Sequence, residues 1–286
     1  MTRCVRRNYL LCLALCFSVS LSLVVVRKLL ILAVLSIVQV RDAKVEVLNA
    51  IQPLSLDDMV LGQYVANEKT GEPGYLDDTS VPRGSTTETF AACTFAINNE
   101  RWHGVPFIMK AGKALDERKA EVRIIFKPPA RLSTRFPASA ASMAPNELVV
   151  RLQPNEAIYL KTNVKEPGLG QTPKQVELDL TYKSRFGLED SPGAYTRLIL
   201  DALQGQQAAF VRGDELQAAW DIFTPMLRAK EGTGQAGEGA GKKAQPILYT
   251  FGSRGPAEAD DLVRRSGYVR DRGLNYSWPV SKISKL

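Results

Sequence analysis

The chain has 286 residues and a formal net charge of +7, and 45% of its residues are hydrophobic. This length and composition are ordinary for one large globular domain or two small ones, and they exclude a fibrous or wholly disordered protein. Every charged residue before Asp42 is cationic, so the rest of the chain is close to neutral. A basic field suited to nucleic acid is therefore not expected.

The few cysteines and the single histidine limit the kinds of metal and catalytic site that the chain can contain. Three of the four cysteines precede residue 17 and only Cys93 lies farther along, which is no disulfide framework and predicts a reducing compartment. His103 is the single histidine, and beside Trp102 it is expected to be structural. The spacings typical of metal sites, dinucleotide-binding turns and phosphate-binding loops are absent from the sequence. Neither a catalytic residue nor a metal ligand is predicted.

The first 40 residues differ from everything that follows. Residues 9–26 are apolar apart from serines and cysteines, Arg27 and Lys28 interrupt the run, and residues 29–40 are apolar again. A helix that spans a bilayer needs about 20 apolar residues, so the first run is of borderline length. The basic start and apolar core also resemble a signal peptide, although no A-x-A cleavage site follows. These residues are interpreted as a membrane or targeting segment, or as sequence foreign to the domain.

Residues 41–286 contain several short runs in which polar and apolar residues alternate. Residues 122–126, 148–152 and 176–182 place apolar side chains at every second position, as half-buried strands do. The Pro154-Asn155 pair predicts a turn into a further strand at residues 157–161. Strands of this kind predict an antiparallel sheet with one packed face and one polar face.

Three helices are predicted after these strands. Apolar residues recur at helical spacing in residues 195–203. Asp214 is predicted as the N-cap of a helix over residues 215–223, and a short helix is predicted over residues 257–265. Because strands and helices are segregated along the chain and do not alternate, the predicted fold class is α+β.

The densest group of charges lies in residues 110–123. It holds five cations, which are Lys110, Lys113, Arg118, Lys119 and Arg123. Ammonium and guanidinium groups clustered in this way suit a phosphate, because charge-assisted hydrogen bonds to phosphate oxygens are strong. Carboxylates are interspersed among these cations, so a solvated protein surface fits the same composition. Composition alone leaves both interpretations open.

The polar face of the predicted sheet forms a second candidate site. Its strands contribute Arg123, Arg151, Gln153, Asp179 and Thr181. A three-residue loop at Pro154 would pair Arg151 with Tyr159 and would place Lys161 on the same face. Such a face can hold an anionic ligand with an aromatic part, for example a nucleotide. A solvated face, or an interface with cross-strand ion pairs, is the alternative.

Several long segments carry a resemblance to a known family. They include FAACTFAINNERWHGVPFIMKAGKALDERKAEVRIIFK, NELVVRLQPNEAIYLK, AYTRLILDALQGQQAAFVRGDELQAAWDIFTPML and YTFGSRGPAEADDLVRRSGY. In order, from about residue 41 to the end, they resemble the C-terminal part of glucose-6-phosphate dehydrogenase. This family oxidises glucose 6-phosphate to 6-phosphogluconolactone with NADP, in the first step of the pentose phosphate pathway. The resemblance implies a domain over residues 41–286, with a large, mixed or mostly antiparallel sheet and helices packed on one face.

The resemblance also implies roles for residues at matching positions. Lys113, Arg118 and Gln153 correspond to contacts with the substrate, glucose 6-phosphate. A larger set corresponds to a second, structural NADP site: Lys110, Lys119, Arg123, Arg151, Tyr159, Lys161, Asp179, Thr181, Arg254 and Trp278, with Tyr276 as a looser match. NADP is therefore the expected cofactor.

The Gly-rich fingerprint of the family and its segment with the catalytic histidine and aspartate are absent from this chain. Oxidation of a hydroxyl needs a base beside the reacting carbon and a nicotinamide held against it, so the chain alone is expected to be inactive. The alternative is a non-catalytic module for NADP binding or dimerisation, or a domain anchored to a membrane by residues 9–40. Homo-oligomers or association with full-length subunits are expected, in the cytoplasm, with plastid or membrane association left open.

The resemblance offers a third interpretation of the N-terminus. YLLCLALCFSVSLS resembles a helix of the family, and RDAKVEVL resembles its continuation, but the apolar residues between them interrupt the pattern. A gene assignment that retains untranslated or intronic sequence would produce such an interruption, and this is the leading hypothesis for residues 1–40.

Overall fold

A computed structural model of the protein describes residues 37–127, 144–165, 167–168, 173–187, 192–207, 210–232 and 245–268. In chain order, the elements are α1 (Ile37–Asn49), β1 (Met59–Val65), β2 (Phe90–Ala96), β3 (Pro106–Gly112), β4 (Ala120–Ile125), β5 (Glu147–Gln153), β6 (Ala157–Lys165), β7 (Pro173–Thr181), α2 (Tyr182–Phe186), α3 (Ala194–Leu203), α4 (Gly213–Lys230), β8 (Ile247–Thr250) and α5 (Ala257–Arg265). The chain divides into two compact units, and the strands divide into two four-stranded sheets. The predicted α+β class is confirmed.

The first unit comprises residues 1–118 and 188–266. Its sheet has the order β3-β2-β1-β8, with β8 parallel to β1 and the other pairs antiparallel. Successive residues of β1 and β2 point to opposite faces, and both faces are apolar. Helices α1 and α4 contribute to the core that contains Met59 and Cys93, and α5 packs over Phe90 and Tyr249 on the other side. Helices therefore cover both faces of this sheet, whereas the resemblance implied helices on one face.

Helix α4 begins earlier than the sequence predicted. Its N-cap is Arg212, so Asp214 lies in the first turn and the prediction that Asp214 caps the helix is wrong. The Asp214 carboxylate instead accepts hydrogen bonds from the Arg212 guanidinium, at 2.6 and 2.8 Å. Asp214 and Glu215 place negative charge at the positive end of the helix dipole, which stabilises the helix start. The apolar face, with Ile222 and Met226, packs into the core.

The second unit comprises residues 119–187 and 267–286. Its sheet has the order β4-β5-β6-β7, and all neighbouring strands are antiparallel. All four strands lie where the alternation predicted them, although the last one ends at Thr181 because Tyr182 begins α2. The predicted helices at residues 195–203 and 257–265 are present as α3 and α5.

The predicted register between β5 and β6 is wrong by two residues. Arg151 lies opposite Ala157, whereas Tyr159 lies opposite Val149 and Lys161 lies opposite Glu147. Because side chains alternate with a period of two, this shift leaves Arg151, Tyr159 and Lys161 on one face, as predicted.

Several predictions fall outside the described residues. These include Trp278, Tyr276 and nearly all of the N-terminal apolar segment. In the part of the chain that the structure describes, no helix combines the length and apolar character that a membrane crossing requires.

Candidate functional site

The loop that follows β3 is held by backbone hydrogen bonds on both sides. The Lys113 amide donates to the Thr89 carbonyl at 2.9 Å. The Gly252 amide donates to the Ala114 carbonyl at 2.8 Å, and the Asp116 amide donates to the Ser253 carbonyl at 2.9 Å. The segment after β8 therefore clamps residues 113–116, while the Lys113 side chain remains exposed.

Close packing at the end of β3 explains the glycine that precedes Lys113. A Cβ atom added to Gly112 would lie 2.8 Å from Cδ2 of Phe90 and 3.1 Å from Cδ1 of Leu115. These distances are below ordinary carbon–carbon contact, so a side chain at Gly112 would displace the fully buried Phe90 ring. Ala114 has a φ of 51°, which turns the chain sharply immediately after Lys113.

The three predicted substrate contacts are distributed between the two units. Lys113 and Arg118 lie five residues apart in the exposed connection between β3 and β4, within the first unit. Gln153 is exposed at the end of β5 in the second unit. The structure thus brings together two of the three residues, both cationic, in a single loop.

Lys110 and Arg254, two residues of the predicted nucleotide site, are adjacent in the first unit. The Lys110 ammonium donates to the Arg254 carbonyl at 2.5 Å and lies 5.3 Å from the centre of the Phe90 ring. The Arg254 guanidinium donates to Asp260 of α5 at 3.3 Å, and both side chains are exposed. This part of the predicted site therefore presents a second pair of cations near the surface.

A cluster of charges occupies the polar face of the second sheet. The Arg123 guanidinium donates to Glu121 at 2.7 Å and to Glu147 at 3.0 Å. Lys119 and Arg151 each lie 3.6 Å from the Glu121 carboxylate. Glu121 and Glu147 were not among the predicted residues, although both occupy the polar phase of their strands. Their partners follow from strand pairing, which a single sequence does not specify.

Two buried side chains next to these charges have shifted pKa values. Tyr159 is fully buried and Lys161 is 7% exposed. Burial lowers the pKa of Lys161, although the nearby Glu147 acts in the opposite direction. Burial also raises the pKa of the Tyr159 phenol, so this group stays protonated.

This face carries as many carboxylates as cations. Its cations are Lys119, Arg123, Arg151 and Lys161, and its carboxylates are Glu121, Glu147, Glu177 and Asp179. Arg123, Arg151 and Lys161 are partly or fully buried, where charge-assisted hydrogen bonds to phosphate are strong.

The predicted residues of β7 lie on the same face. Asp179 is opposite Tyr159, and Thr181 is opposite Ala157. The Thr181 hydroxyl donates to the Asp179 carboxylate at 3.0 Å. Seven of the nine predicted nucleotide contacts that the structure describes therefore lie in the second unit, and one of these seven, Lys119, directly precedes β4.

No metal centre is found among the described residues, which contain no group of three or more histidine, cysteine or carboxylate side chains able to hold a metal ion. Burial raises the pKa of Cys93 to about 12, so its thiol is unreactive. His103 is exposed in a turn beside Trp102, whose ring packs edge-on against Phe107.

The chain is similar to proteins of one known family. The family described as glucose-6-phosphate dehydrogenase, C-terminal domain, matches residues 29–278. Glucose-6-phosphate 1-dehydrogenase of Dictyostelium discoideum is 49% identical over 240 residues, which cover 84% of this chain and 45% of that protein. The cytoplasmic isoform of Solanum tuberosum is 48% identical over 239 residues, which cover 84% and 42%.

A solved structure is similar as well. It is a glucose-6-phosphate dehydrogenase in complex with its substrate glucose-6-phosphate, with 44% identity and a TM-score of 0.72. The match covers 84% of this chain and 47% of that one. The chain thus spans less than half the length of these relatives.

Proposed function

This chain belongs to the glucose-6-phosphate dehydrogenase family, in which it matches the C-terminal domain, and we propose that it binds glucose 6-phosphate through the loop that carries Lys113 and Arg118. The single observation that carries this proposal is the clamped loop. Its backbone is held by Thr89, Gly252 and Ser253, while its two cations remain exposed. A rigid backbone with free cationic side chains suits a phosphate monoester, since little ordering is required on binding.

The substrate of the related solved structure supports this assignment. That enzyme is described in complex with glucose-6-phosphate, and it is 44% identical to this chain over the matched region. Gln153 of the second unit carries a neutral amide suited to a sugar hydroxyl, and it stays a substrate contact that the resemblance implies.

We also propose that the polar face of the second sheet holds NADP in a structural role. The supporting features are the partly buried cations of this face and the neutral Tyr159 phenol. Phosphate groups would pair with Arg123, Arg151 and Lys161, and Thr181 and Asp179 would offer hydrogen bonds to the rest of the ligand. Lys119, directly before β4, would extend the site. Lys110 and Arg254 of the first unit, and Trp278, which lies outside the described residues, stay nucleotide contacts that the resemblance implies.

The reaction of the family is the conversion of glucose 6-phosphate and NADP to 6-phosphogluconolactone and NADPH. In this chain, Lys113 and Arg118 would neutralise the phosphate and orient the sugar. The base that removes the hydroxyl proton, and the groups that hold the reacting nicotinamide, are not encoded in these 286 residues. We therefore propose binding without turnover for the isolated chain.

Association with other subunits is part of the same proposal. The face of the second sheet opposite the polar cluster exposes Leu178, Leu180 and Val164, at 65%, 39% and 40%. Exposed apolar side chains grouped in this way indicate a contact surface for another chain. We propose a homo-oligomer or association with full-length subunits, with residues 41–286 as the functional domain, in the cytoplasm.

The experiment is calorimetry on the purified chain, first with glucose 6-phosphate and then with NADP, with a turnover assay on the same sample. Lys113→Gln is expected to weaken glucose 6-phosphate binding by about 10- to 100-fold, the loss expected for a hydrogen bond to a charged group. Lys69→Gln is the matched control, because Lys69 is an exposed lysine of the same unit. Equal losses in the two variants would contradict the proposed site.

The nucleotide site has its own matched pair of variants. Lys161→Met removes a cation from the polar face of the second sheet, and Lys174→Met removes one from the opposite face. Weaker NADP binding is expected in the first variant alone. Turnover by the unmodified chain would contradict the interpretation that it is inactive by itself.

A further inference from the structure

Tyr249 of β8 is a buried tyrosine whose hydroxyl lies next to the candidate phosphate loop. Its ring is 4% exposed and contacts the rings of Phe90 and Tyr64, with centroid distances of 5.6 and 6.3 Å. The hydroxyl donates to the Lys113 carbonyl at 2.8 Å. A phenylalanine would fill the same apolar space, so packing alone does not account for the hydroxyl.

The direction of the hydrogen bonds around this hydroxyl follows from the available protons. The Tyr64 amide donates to the Thr89 hydroxyl oxygen at 3.0 Å. The Tyr249 hydroxyl has one proton and two carbonyl acceptors, Lys113 at 2.8 Å and Thr89 at 3.3 Å, and the Thr89 hydroxyl lies 3.0 Å from it. Thr89 is therefore the donor and Tyr249 the acceptor in that bond. Burial raises the pKa of Tyr249 to about 12, so its proton is retained across the physiological range.

We propose that Tyr249 is a positioning residue for the Lys113 ammonium, a role that rests on the proposed binding of glucose 6-phosphate by this loop. The Lys113 amide is held by its hydrogen bond to the Thr89 carbonyl, and the Lys113 carbonyl is held by the hydrogen bond from the Tyr249 hydroxyl. Both polar backbone groups of Lys113 are thus held before a ligand arrives. The Cα–Cβ bond of Lys113 keeps one direction, and only the torsions of its side chain are ordered on binding.

The geometry also explains why Tyr249 and not a nearer residue performs this function. Lys113 follows the last residue of β3, Gly112, so its carbonyl lies beyond the strand pairing of β3 and accepts from the Tyr249 hydroxyl. Within the described part of the chain, that carbonyl is reached from β8, which is separated from it by 136 residues. A hydroxyl at the end of a rigid ring spans this gap, whereas a shorter side chain would leave the carbonyl buried without its donor.

The test is Tyr249→Phe, which keeps the ring and removes the hydroxyl. Tyr64→Phe is the matched control, because it removes a hydroxyl from the neighbouring ring and leaves the bond to Lys113 in place. Calorimetry would measure the affinity for glucose 6-phosphate and, separately, for inorganic phosphate. Hydrogen exchange would measure the Lys113 and Asp116 amides, both of which donate within the clamp.

In Tyr249→Phe, we expect about five- to tenfold weaker binding of both anions, as for the loss of one hydrogen bond. We also expect faster exchange at the Lys113 and Asp116 amides, with unchanged exchange in the core strand β2. Tyr64→Phe should match the unmodified chain in both measurements. Thr89→Val, which removes the donor to Tyr249, should cause a smaller effect in the same direction and carries the test if Tyr249→Phe does not fold.

Two outcomes would overturn the role of Tyr249 but not the proposed binding of glucose 6-phosphate. One is unchanged anion affinity in Tyr249→Phe while the unmodified chain binds. The other is weakened affinity with unchanged exchange at Lys113 and Asp116, because the hydroxyl would then act by another route. A failure of the unmodified chain to bind either anion would overturn the proposed function, and the role of Tyr249 with it.

Discussion

Replacement of Gly255 by alanine should destabilise the first unit strongly. Gly255 has a φ of 96°, and a Cβ atom added there would lie 2.4 Å from Cε2 of Phe90. Ordinary carbon–carbon contact is about 3.5–4.0 Å, so the ring would have to move by about 1 Å. Phe90 is fully buried between Val60, Tyr249 and the residues of α5, and this surrounding packing resists such a movement.

The expected loss combines two costs and one gain. Overpacking costs about 1–3 kcal/mol, and a positive φ at alanine costs about 1–2 kcal/mol. The smaller conformational freedom of alanine in the unfolded chain returns about 0.4–1 kcal/mol. The free energy of unfolding should therefore fall by about 2–4 kcal/mol.

Gly252→Ala is the matched control, because Gly252 lies in the same loop with a φ of 79°, and its nearest neighbour, Nδ2 of Asn67, would be 4.0 Å away. In this variant only the backbone conformation is unfavourable, so the free energy of unfolding should fall by about 1 kcal/mol. Equilibrium unfolding in urea, followed by tryptophan fluorescence, would compare the two, since Trp102 and Trp220 both lie in the first unit. Equal free energies of unfolding in the two variants would refute the reasoning that Phe90 excludes a side chain at Gly255.

Three further predictions follow from single features of the structure. Ala114→Gly should raise the free energy of unfolding by about 0.5–1 kcal/mol, because Ala114 has a φ of 51°, and a lower free energy in urea unfolding would contradict this. Burial would raise the pKa of Glu121, but its hydrogen bond and charge contact with Arg123 outweigh burial and lower the pKa. The stabilising effect of Glu121 is therefore present above pH of about 4.3 and is lost as the pH falls through its folded-state pKa, so Glu121→Gln should flatten the acid limb of stability followed by circular dichroism. Lys230→Ala should cost about 3–5 kcal/mol because it leaves the buried Glu88 without its partner, and the double variant Lys230→Met, Glu88→Gln should recover stability in the same urea assay.

Periodicity and turn residues in the sequence located about half of the elements. Apolar residues at every second position predicted β4 to β7, because in a half-buried strand the period of the side chains is the period of burial. Helix α3 followed from the helical spacing of its apolar residues, and α5 followed from the Gly255-Pro256 pair before it and Gly267 after it. The first sheet was not predicted, because β1 and β2 are covered on both faces and their sequences are apolar runs without alternation.

Features that depend on a few backbone torsions were missed. The β5–β6 register depends on the turn at Asn155, which has a φ of 55°. The start of α4 depends on Arg212, whose guanidinium binds Asp42 at 2.7 Å as well as Asp214. The Pro154-Asn155 pair predicts a turn but not its torsions, and the contact with Asp42, 170 residues away, has no signature in the local sequence.

The candidate site, too, was predictable from the sequence only in part. The residue types of the loop at Lys113 and of the polar sheet face were visible in the sequence, because clustered cations stand out from their surroundings. The clamp from β8 was not visible, since it consists mainly of backbone hydrogen bonds from Gly252 and to Ser253. Backbone hydrogen bonds do not depend on residue type, so the sequence does not reveal them. The sequence therefore does not distinguish Tyr249 from other core aromatic residues.

The clamp has a consequence for the order in which the protein can be completed during synthesis. A ribosome adds Lys113 to the chain 136 residues before Tyr249, so the loop at Lys113 emerges long before the strand that fixes it. In that interval all four strands of the second sheet are synthesised, and that sheet can form while the loop is still unconstrained. A nascent chain that stalls before β8 would thus carry the polar sheet face without the hydrogen bonds that hold Lys113, which makes β8 the strand that completes this loop.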